Sequence, residues 1–271
     1  MTCPPFVRQC LLRLSTDTPT PSALDRARQK AYWRLLPLVF VAYMIAYVDR
    51  ANVSIAKLTM VKSLPAFTND VIGFGSGLFF VGYFILEIPG CLIIEKWGAR
   101  RWIARIMVTW GIVAALTAVV KTPHQFYTVR FLLGLAEAGF FPGIIVYLTH
   151  WFPARDRARA LSCLIIAQPA AQLFSLRITN ELMGWDFLGL AGWQWVYIFW
   201  GVPAVLLGGA VWFLLTDQPA QAGWLTSEEK SALSAELEKE KVRHATSKLQ
   251  SLGQALRNPK VLLLTLAYFC T

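Results

Sequence analysis

Five runs of about twenty largely apolar residues, at 35 to 56, 71 to 94, 103 to 120, 126 to 149 and 195 to 216, dominate this chain. A helix rises about 1.5 Å per residue, so each run crosses or nearly crosses a hydrocarbon layer of roughly 30 Å. Composition points the same way. Hydrophobic residues make up 56% and charged residues 15%, whereas a soluble domain devotes roughly a quarter of its positions to charge. The surplus apolar surface must face lipid.

A sixth run, residues 160 to 179, reads ALSCLIIAQPAAQLFSLRIT and carries Gln168, Pro169, Gln172 and Arg177. Hydropathy alone leaves it a moderate candidate, and the placement of lysine and arginine decides it, because cytoplasmic loops retain positive charge. Residues 1–34, 95–105, 155–159 and 217–260 hold six, four, three and seven Lys or Arg, while the alternate loops hold only Lys57, Lys62 and Lys121. That alternation fits six crossings with a cytoplasmic N-terminus. The expected fold is an all-α membrane protein. It comprises a disordered cytoplasmic N-terminal extension (1–30), a six-helix transmembrane bundle (31–216), a cytoplasmic loop containing a helix (217–260) and the start of a seventh transmembrane helix (261–271), cut off after roughly half a crossing. In the polar segment 217–260, Thr226 or Ser227 is placed to cap a helix with Glu228 or Glu229 in its first turn.

Several function classes are disfavoured. The net charge of +10 is scattered between apolar runs and forms no basic face for nucleic acid. Cys3, Cys10, Cys91, Cys163 and Cys270 show no metal or disulfide spacing, and His124, His150 and His244 are equally dispersed. Neither metal nor cofactor is expected. The first 30 residues hold Arg8, Arg13, Arg26, Arg28 and Lys30 without the apolar core of a cleaved secretory signal. No nucleophile with a partnered base and no phosphate-binding glycine loop suggests a membrane enzyme.

The candidate site rests on charges inside the apolar runs: Asp49, Arg50, Glu87, Arg130, Glu137 and Arg177. A charge at membrane depth costs several kcal/mol unless it faces protein or water. Asp49 and Arg50 follow fourteen uncharged residues, Leu35 to Val48. Arg130 and Glu137 are seven positions apart, nearly on one helix face and about 10 Å apart along the axis. An arginine can clamp a carboxylate with two parallel hydrogen bonds, and a buried carboxylate can exchange a proton. Together they suit proton-coupled movement of an organic anion. Equally, the four could simply pair to hold helices together. Glu87, beside Pro89, reads as an interfacial carboxylate paired with a loop arginine. Gly134, Gly139 and Gly143, with Ala136 and Ala138, read as a small-residue packing surface.

The loop IPGCLIIEKWGARRWIAR resembles the signature between the second and third helices of the major facilitator superfamily, with Glu95, Gly98, Arg100 and Arg101 at the matching positions. AYVDRANVSIAKLTM, RFLLGLAEAGFFPGIIVYLTHWFPARDRARA and LAGWQWVYIFWGVPAVLLGGAVWFLLTDQP are similar to the anion:cation symporter group, relatives of tartrate, phthalate, hexuronate and aldonate permeases, over residues 30 to 232. The resemblance implies a multi-pass protein of the cell inner membrane that imports a small organic anion such as tartrate or a sugar acid. It gives Asp49 and Glu137 the proton-coupling role, makes Arg50 and Arg130 ligands of the substrate carboxylate, and adds Tyr47, Tyr83 and Gln168 to the substrate site. Arg177 departs from the pattern of the fifth helix. Family members enclose a midplane site between two six-helix bundles, so the expected partners are an organic carboxylate, protons, the lipid bilayer and a missing C-terminal half. A truncated, transport-inactive product is the rival expectation.

Overall fold

The computed structural model describes residues 22–245 and 258–263; the side chains of Ile88, Glu95 and residues 243–245 are not among those described. Cys3, Cys10, Cys270, the side chain of His244, residues 1–21 of the expected N-terminal extension, 246–257 of the expected loop and 264–271 of the expected seventh helix therefore lie outside the described residues, whereas 23–30 of that extension are helical and not disordered. Eight α-helices follow in order: α1 Ala23–Ser63, α2 Asn69–Trp97, α3 Ala99–Leu116, α4 Pro123–Glu137, α5 Phe140–Trp151, α6 Ala154–Met183, α7 Gly192–Leu214 and α8 Ser227–Ala245. Residues 259–263 are also helical. A single antiparallel bridge, Phe187 with Leu190, is the only β pairing among the described residues.

Six segments are long and apolar enough to cross a membrane: α1, Asn69–Glu87 of α2, α3 with its terminal 3-10 turn, α4 joined to α5, α6, and α7. Such helices suit a bilayer because every mid-helix N–H and C=O is satisfied within its own segment. The weakly apolar run 160–179 lies wholly inside α6. Large apolar side chains such as Phe84, Leu173, Leu206 and Phe213 are 68–82% exposed, an arrangement that water would penalise and lipid does not.

Local chemistry sets the helix ends. Thr68 Oγ1 accepts from the Val71 amide, and Thr122 with Gln125 forms a capping box ahead of Pro123 at the first turn of α4. Thr226 and Glu229 exchange side-chain and backbone hydrogen bonds at the start of α8. The run 126–149 is not one continuous helix. α4 stops at Glu137, Gly139 turns to φ 79°, and α5 restarts at Phe140. A left-handed residue is nearly free of strain only in glycine, so Gly139 serves the break as well as the packing surface expected of it, where a Cβ would meet Gly90 Cα at 3.5 Å and Trp102 Nε1 at 3.2 Å.

Helix α3 lies against α7, α2 against α4, and α1 against α6 and α7. Glycines bring the backbones together. A Cβ on Gly111 or on Gly201 would stand 2.7 Å from the other's carbonyl oxygen, and one on Gly134 would stand 2.0 Å from that of Phe79. In lipid, where no hydrophobic effect drives helices together, such close contact supplies the dispersion energy that does.

The four lysine- and arginine-rich segments meet at one end of the bundle. Arg28 forks onto both carboxylate oxygens of Asp156, Arg157 reaches Glu240 at 2.9 Å, and Lys30 bonds both oxygens of Glu229 at 2.8 Å. The Arg100 amide donates to Asp217 at 2.8 Å. At the other end Trp193 Nε1 donates to Ser63 Oγ at 2.9 Å, and Phe67 packs edge-on against Phe126. This separation requires an even number of crossings between successive basic segments, the pattern that lysine and arginine counts imply.

Two outcomes follow from this packing. Gly134→Val drives a side chain into the Phe79 carbonyl; overpacking usually costs about 1–3 kcal/mol and more where backbone is struck, so the detergent-purified variant should aggregate or melt earlier. Gly209→Ala, whose Cβ meets nothing within 4 Å, should behave as wild type. At the loop helix, the Lys30 ammonium and the Thr226 amide hold the Glu229 carboxyl below its ordinary range. The folded protein binds this proton more weakly than the unfolded chain, so the stabilisation is complete above the unfolded value and lost as pH falls through the lowered folded one. Spin labels on α1 and α8 should report a constant distance through neutral pH and separation only in strong acid, whereas Glu229→Gln loosens the pair at neutral pH.

Candidate functional site

Two helices carry the charges that the membrane-length segments had to accommodate. On α1, Asp49 is 3% exposed, while its neighbour Arg50, 100° further round the helix, keeps a third of its side chain open. On α4, Arg130 is 3% and Glu137 0% exposed. Three of the four are buried within the bundle, and Arg50 opens onto a cleft. Arg50 Nε donates to Glu137 Oε1 at 2.7 Å, joining α1 to the end of α4. The rings of Tyr47 and Tyr83 lie beneath the Arg50 guanidinium, with centroids at 5.6 and 5.1 Å.

Arg130 takes a different partner. Its Nη2 donates to the Tyr197 hydroxyl of α7 at 2.9 Å, and its guanidinium lies 5.4 Å from the centroid of Phe126. The seven-residue spacing thus brings Arg130 and Glu137 into one interior, where they hold different neighbours. Asp49 makes no ion pair within 4 Å among the described residues, although the charge of Arg130 acts on it.

A cleft of about 240 Å³ opens onto this cluster and is lined by Asp49, Arg50 and Arg130 together with Ser54 of α1 and Ser76 of α2. Glu137 stands behind Arg50 and does not line the cleft, and the same is true of Tyr47 and Tyr83. Gln168 is exposed on α6, away from the cleft lining, and Arg177 is exposed further along the same helix. Three buried polar atoms around the cluster lack a hydrogen-bond partner: Arg130 Nε, Glu137 Oε2 and Asn52 Nδ2. Buried polar atoms are rarely left so, and such orphans mark places where water or a ligand atom completes the bonding.

Sequence reading did not find Tyr197, the buried partner of Arg130. It also missed Asn52, whose Oδ1 accepts from Thr179 at 3.2 Å while Thr179 Oγ1 accepts from Trp200 Nε1 at 3.1 Å. Asn52 lies three residues beyond Asp49, on nearly the same face of α1, and that spacing was the available signal. Tyr197 sits in the aromatic run WQWVYIFW, where nothing local distinguishes a polar anchor from a core ring.

Glu87 is half-buried and forms no ion pair with a loop arginine among the described residues; the opposite charge that acts on it is Arg50. In the basic loop, Gly98 adopts φ 86° between α2 and α3, and the Asp217 carboxylate sits where a Cβ would come within 3.2 Å. Asp217 caps the first turn of α3 through the Arg100 amide and faces the Arg100 guanidinium at 3.8 Å. A carboxylate there also meets the positive end of the helix dipole. Arg101 is exposed.

With this geometry in view, the comparisons with known proteins are specific. The chain is 45% identical to a "Putative tartrate transporter" of Agrobacterium vitis, over 91% of this chain and 55% of that protein. It is 36% identical to the inner membrane transport protein RhmT of Escherichia coli, over 90% of this chain and 56% of that protein. The chain spans about half the length of the curated relatives it matches. Its backbone superposes on the crystal structure of a bacterial homolog of the human lysosomal transporter Spinster in an inward-facing, occupied conformation. The TM-score is 0.57 at 18% identity, covering 70% of this chain and 45% of that one, which establishes a shared fold. The sequence profile of the Major Facilitator Superfamily matches residues 39–271. A multi-pass protein with this helix order and this profile belongs to the Major Facilitator Superfamily of membrane transporters.

Proposed function

We propose that the chain is the N-terminal bundle of a proton-coupled symporter that imports a small organic anion by alternating access. The observation that carries this reading is the cleft lined by Asp49, Arg50 and Arg130, with Glu137 ion-paired to Arg50 immediately behind it. Two guanidiniums lining a cleft in a low-dielectric bundle attract a carboxylate far more strongly than they would in water. A proton placed on Glu137 cancels its charge and releases Arg50 Nε, so substrate binding and protonation are linked through one ion pair. Asp49, with no ion-pair partner of its own, is a second place for a proton. Tyr47 and Tyr83 hold the Arg50 guanidinium from its faces, and Tyr197 positions Arg130. Gln168, on α6, would reach a substrate spanning the wider cavity between two bundles.

In this reading residues 31–216 are the transmembrane bundle, 217–260 a loop on the same side as the N-terminus, and 261–271 the beginning of a seventh helix. The loop signature Glu95, Gly98, Arg100 and Arg101 braces that side through Asp217. The excess of lysine and arginine at that end supports a cytoplasmic N-terminus. The names of the Agrobacterium and Escherichia relatives support tartrate-like cargo and the cell inner membrane. Their greater length supports a second six-helix bundle that completes the site.

Uptake by proteoliposomes reconstituted with the protein and its second bundle is the test. Arg130→Ala should abolish measurable anion binding, since removing one member of a buried charge pair costs about 2–5 kcal/mol. Glu137→Gln should allow anion exchange while removing the response to an imposed proton gradient. Tyr197→Phe leaves the charge of Arg130 but removes its anchor; a hydrogen bond to a charged group contributes about 1.5–3 kcal/mol, so affinity should fall by about tenfold or more. Wild-type uptake and coupling in Arg130→Ala and Glu137→Gln would end the assignment.

A further inference from the structure

Away from the charged cleft, a groove runs between α1 and α6 from the basic end of the bundle toward its middle. It is made of two cavities that share Tyr32 and Trp33. The first, of about 470 Å³, is lined by Asp25, Arg28, Gln29, Asp156 and Arg159, and the second, of about 350 Å³, by Leu36, Pro37, Phe40 and Cys163. The lining positions of α1 recur every three or four residues, so they form one continuous face. Its chemistry changes once, from charged to apolar, at Trp33, which is 77% exposed.

The dimensions of this face match one bilayer leaflet. From Asp25 to Phe40 an α-helix rises about 22 Å, and half of a bilayer about 40–45 Å thick with its headgroups is about the same. The stretch beyond Gln29 accounts for roughly 16 Å, close to the roughly 15 Å that one leaflet contributes to the hydrocarbon core. Trp33 falls where the two regions meet, a level at which an indole sets its ring against acyl chains and its N–H among polar head atoms. A water-soluble ligand would leave the apolar half of the groove unused, and a bare hydrocarbon chain would leave the charged half unused.

At the polar end the charges decide which head fits. Arg28 forks onto both carboxylate oxygens of the buried Asp156, which cancels that pair. Asp25 meets Arg28 only at 3.4 Å, and 56% of its side chain is exposed. Arg159, one turn along α6 from Asp156, is exposed and forms no ion pair among the described residues. One carboxylate and one guanidinium therefore remain open beside the same groove. A purely anionic head would satisfy Arg159 and be repelled by Asp25, whereas a head bearing a phosphate and a primary ammonium gives each a charge-assisted partner.

We propose that this groove binds one zwitterionic aminophospholipid, with its phosphate on Arg159, its ammonium on Asp25 and an acyl chain laid along Leu36, Pro37 and Phe40 beside Cys163. The lipid joins the end of α1, the helix that carries Asp49 and Arg50, to α6. The site depends on the membrane placement of the bundle and not on which cargo the cleft takes.

Native mass spectrometry of the detergent-purified protein, titrated with phosphatidylethanolamine or phosphatidylglycerol of identical acyl chains, tests the assignment. Phosphatidylethanolamine should bind at least about tenfold tighter, a difference of about 1.4 kcal/mol. Arg159→Gln and Asp25→Asn should each remove most of that preference. Lys239→Gln, at a solvent-exposed position of α8, should leave it intact. Phe40→Ser should weaken both lipids by a similar factor, and free phosphoethanolamine, which lacks the chain, should not compete. Equal affinities that Arg159→Gln does not alter, or tighter binding of phosphatidylglycerol, would overturn the proposal. So would displacement by free phosphoethanolamine, which would mark a soluble ligand, and retention of neither lipid, the result expected if a protein segment or a second copy fills the groove.

Discussion

Arg50 and Glu137 meet 2.7 Å apart inside membrane-length helices, and much of the bundle's interior is arranged around that contact. Neither charge could stay alone there, since an unpaired ion in a low-dielectric interior costs several kcal/mol. Pairing them ties α1 to the last residue of α4. The chain can then break at Gly139 and restart as α5 without losing the register of the fourth span, because the ion pair pins the residue just before the break. The two tyrosine rings on Arg50 and the Tyr197 hydroxyl on Arg130 extend the same logic, surrounding each guanidinium with polarisable faces or an acceptor.

A second set of charges works in the opposite setting. At the basic end, Arg28, Lys30, Arg100 and Arg157 engage Asp156, Glu229, Asp217 and Glu240 across segments far apart in sequence. Individually such partly exposed pairs are worth about 0–1 kcal/mol. As a network they hold the helix ends in register and dock α8 beneath α1. Ion pairs inside the bundle serve the cleft, and those outside it hold the frame.

The helical runs were legible because the bilayer imposes a length and a polarity on anything that crosses it. The gathering of the basic segments at one end of the bundle was legible because translocation excludes positive charge. Even the weak run at 160 to 179 was recovered from the charges flanking it. Asp49, Arg50, Arg130 and Glu137 could be singled out because charge within an apolar run has so few tolerable explanations. Other features were out of reach of such arguments. Gly139 looked like a packing glycine and is also a backbone break. Tyr197 looked like one more core aromatic and is the hydrogen-bond partner of Arg130. Glu87 was expected to meet a loop arginine and instead feels the charge of Arg50.

What the sequence by itself determined is the number of crossings, the separation of basic from uncharged loops and the few buried charges that needed partners, all consequences of one-dimensional spacing against a solvent of known thickness. Only the tertiary structure decided who those partners are, that Glu137 lies behind Arg50 and not on the cleft wall, and that Phe79 and Phe80 of α2 join Asp49, Arg50 and Arg130 in lining it. Those outcomes depend on the rotation and close approach of helices distant in sequence, set by glycine contacts such as Gly111 with Gly201 and Gly134 with Phe79. A hydropathy pattern carries no record of which side of one helix meets which side of another.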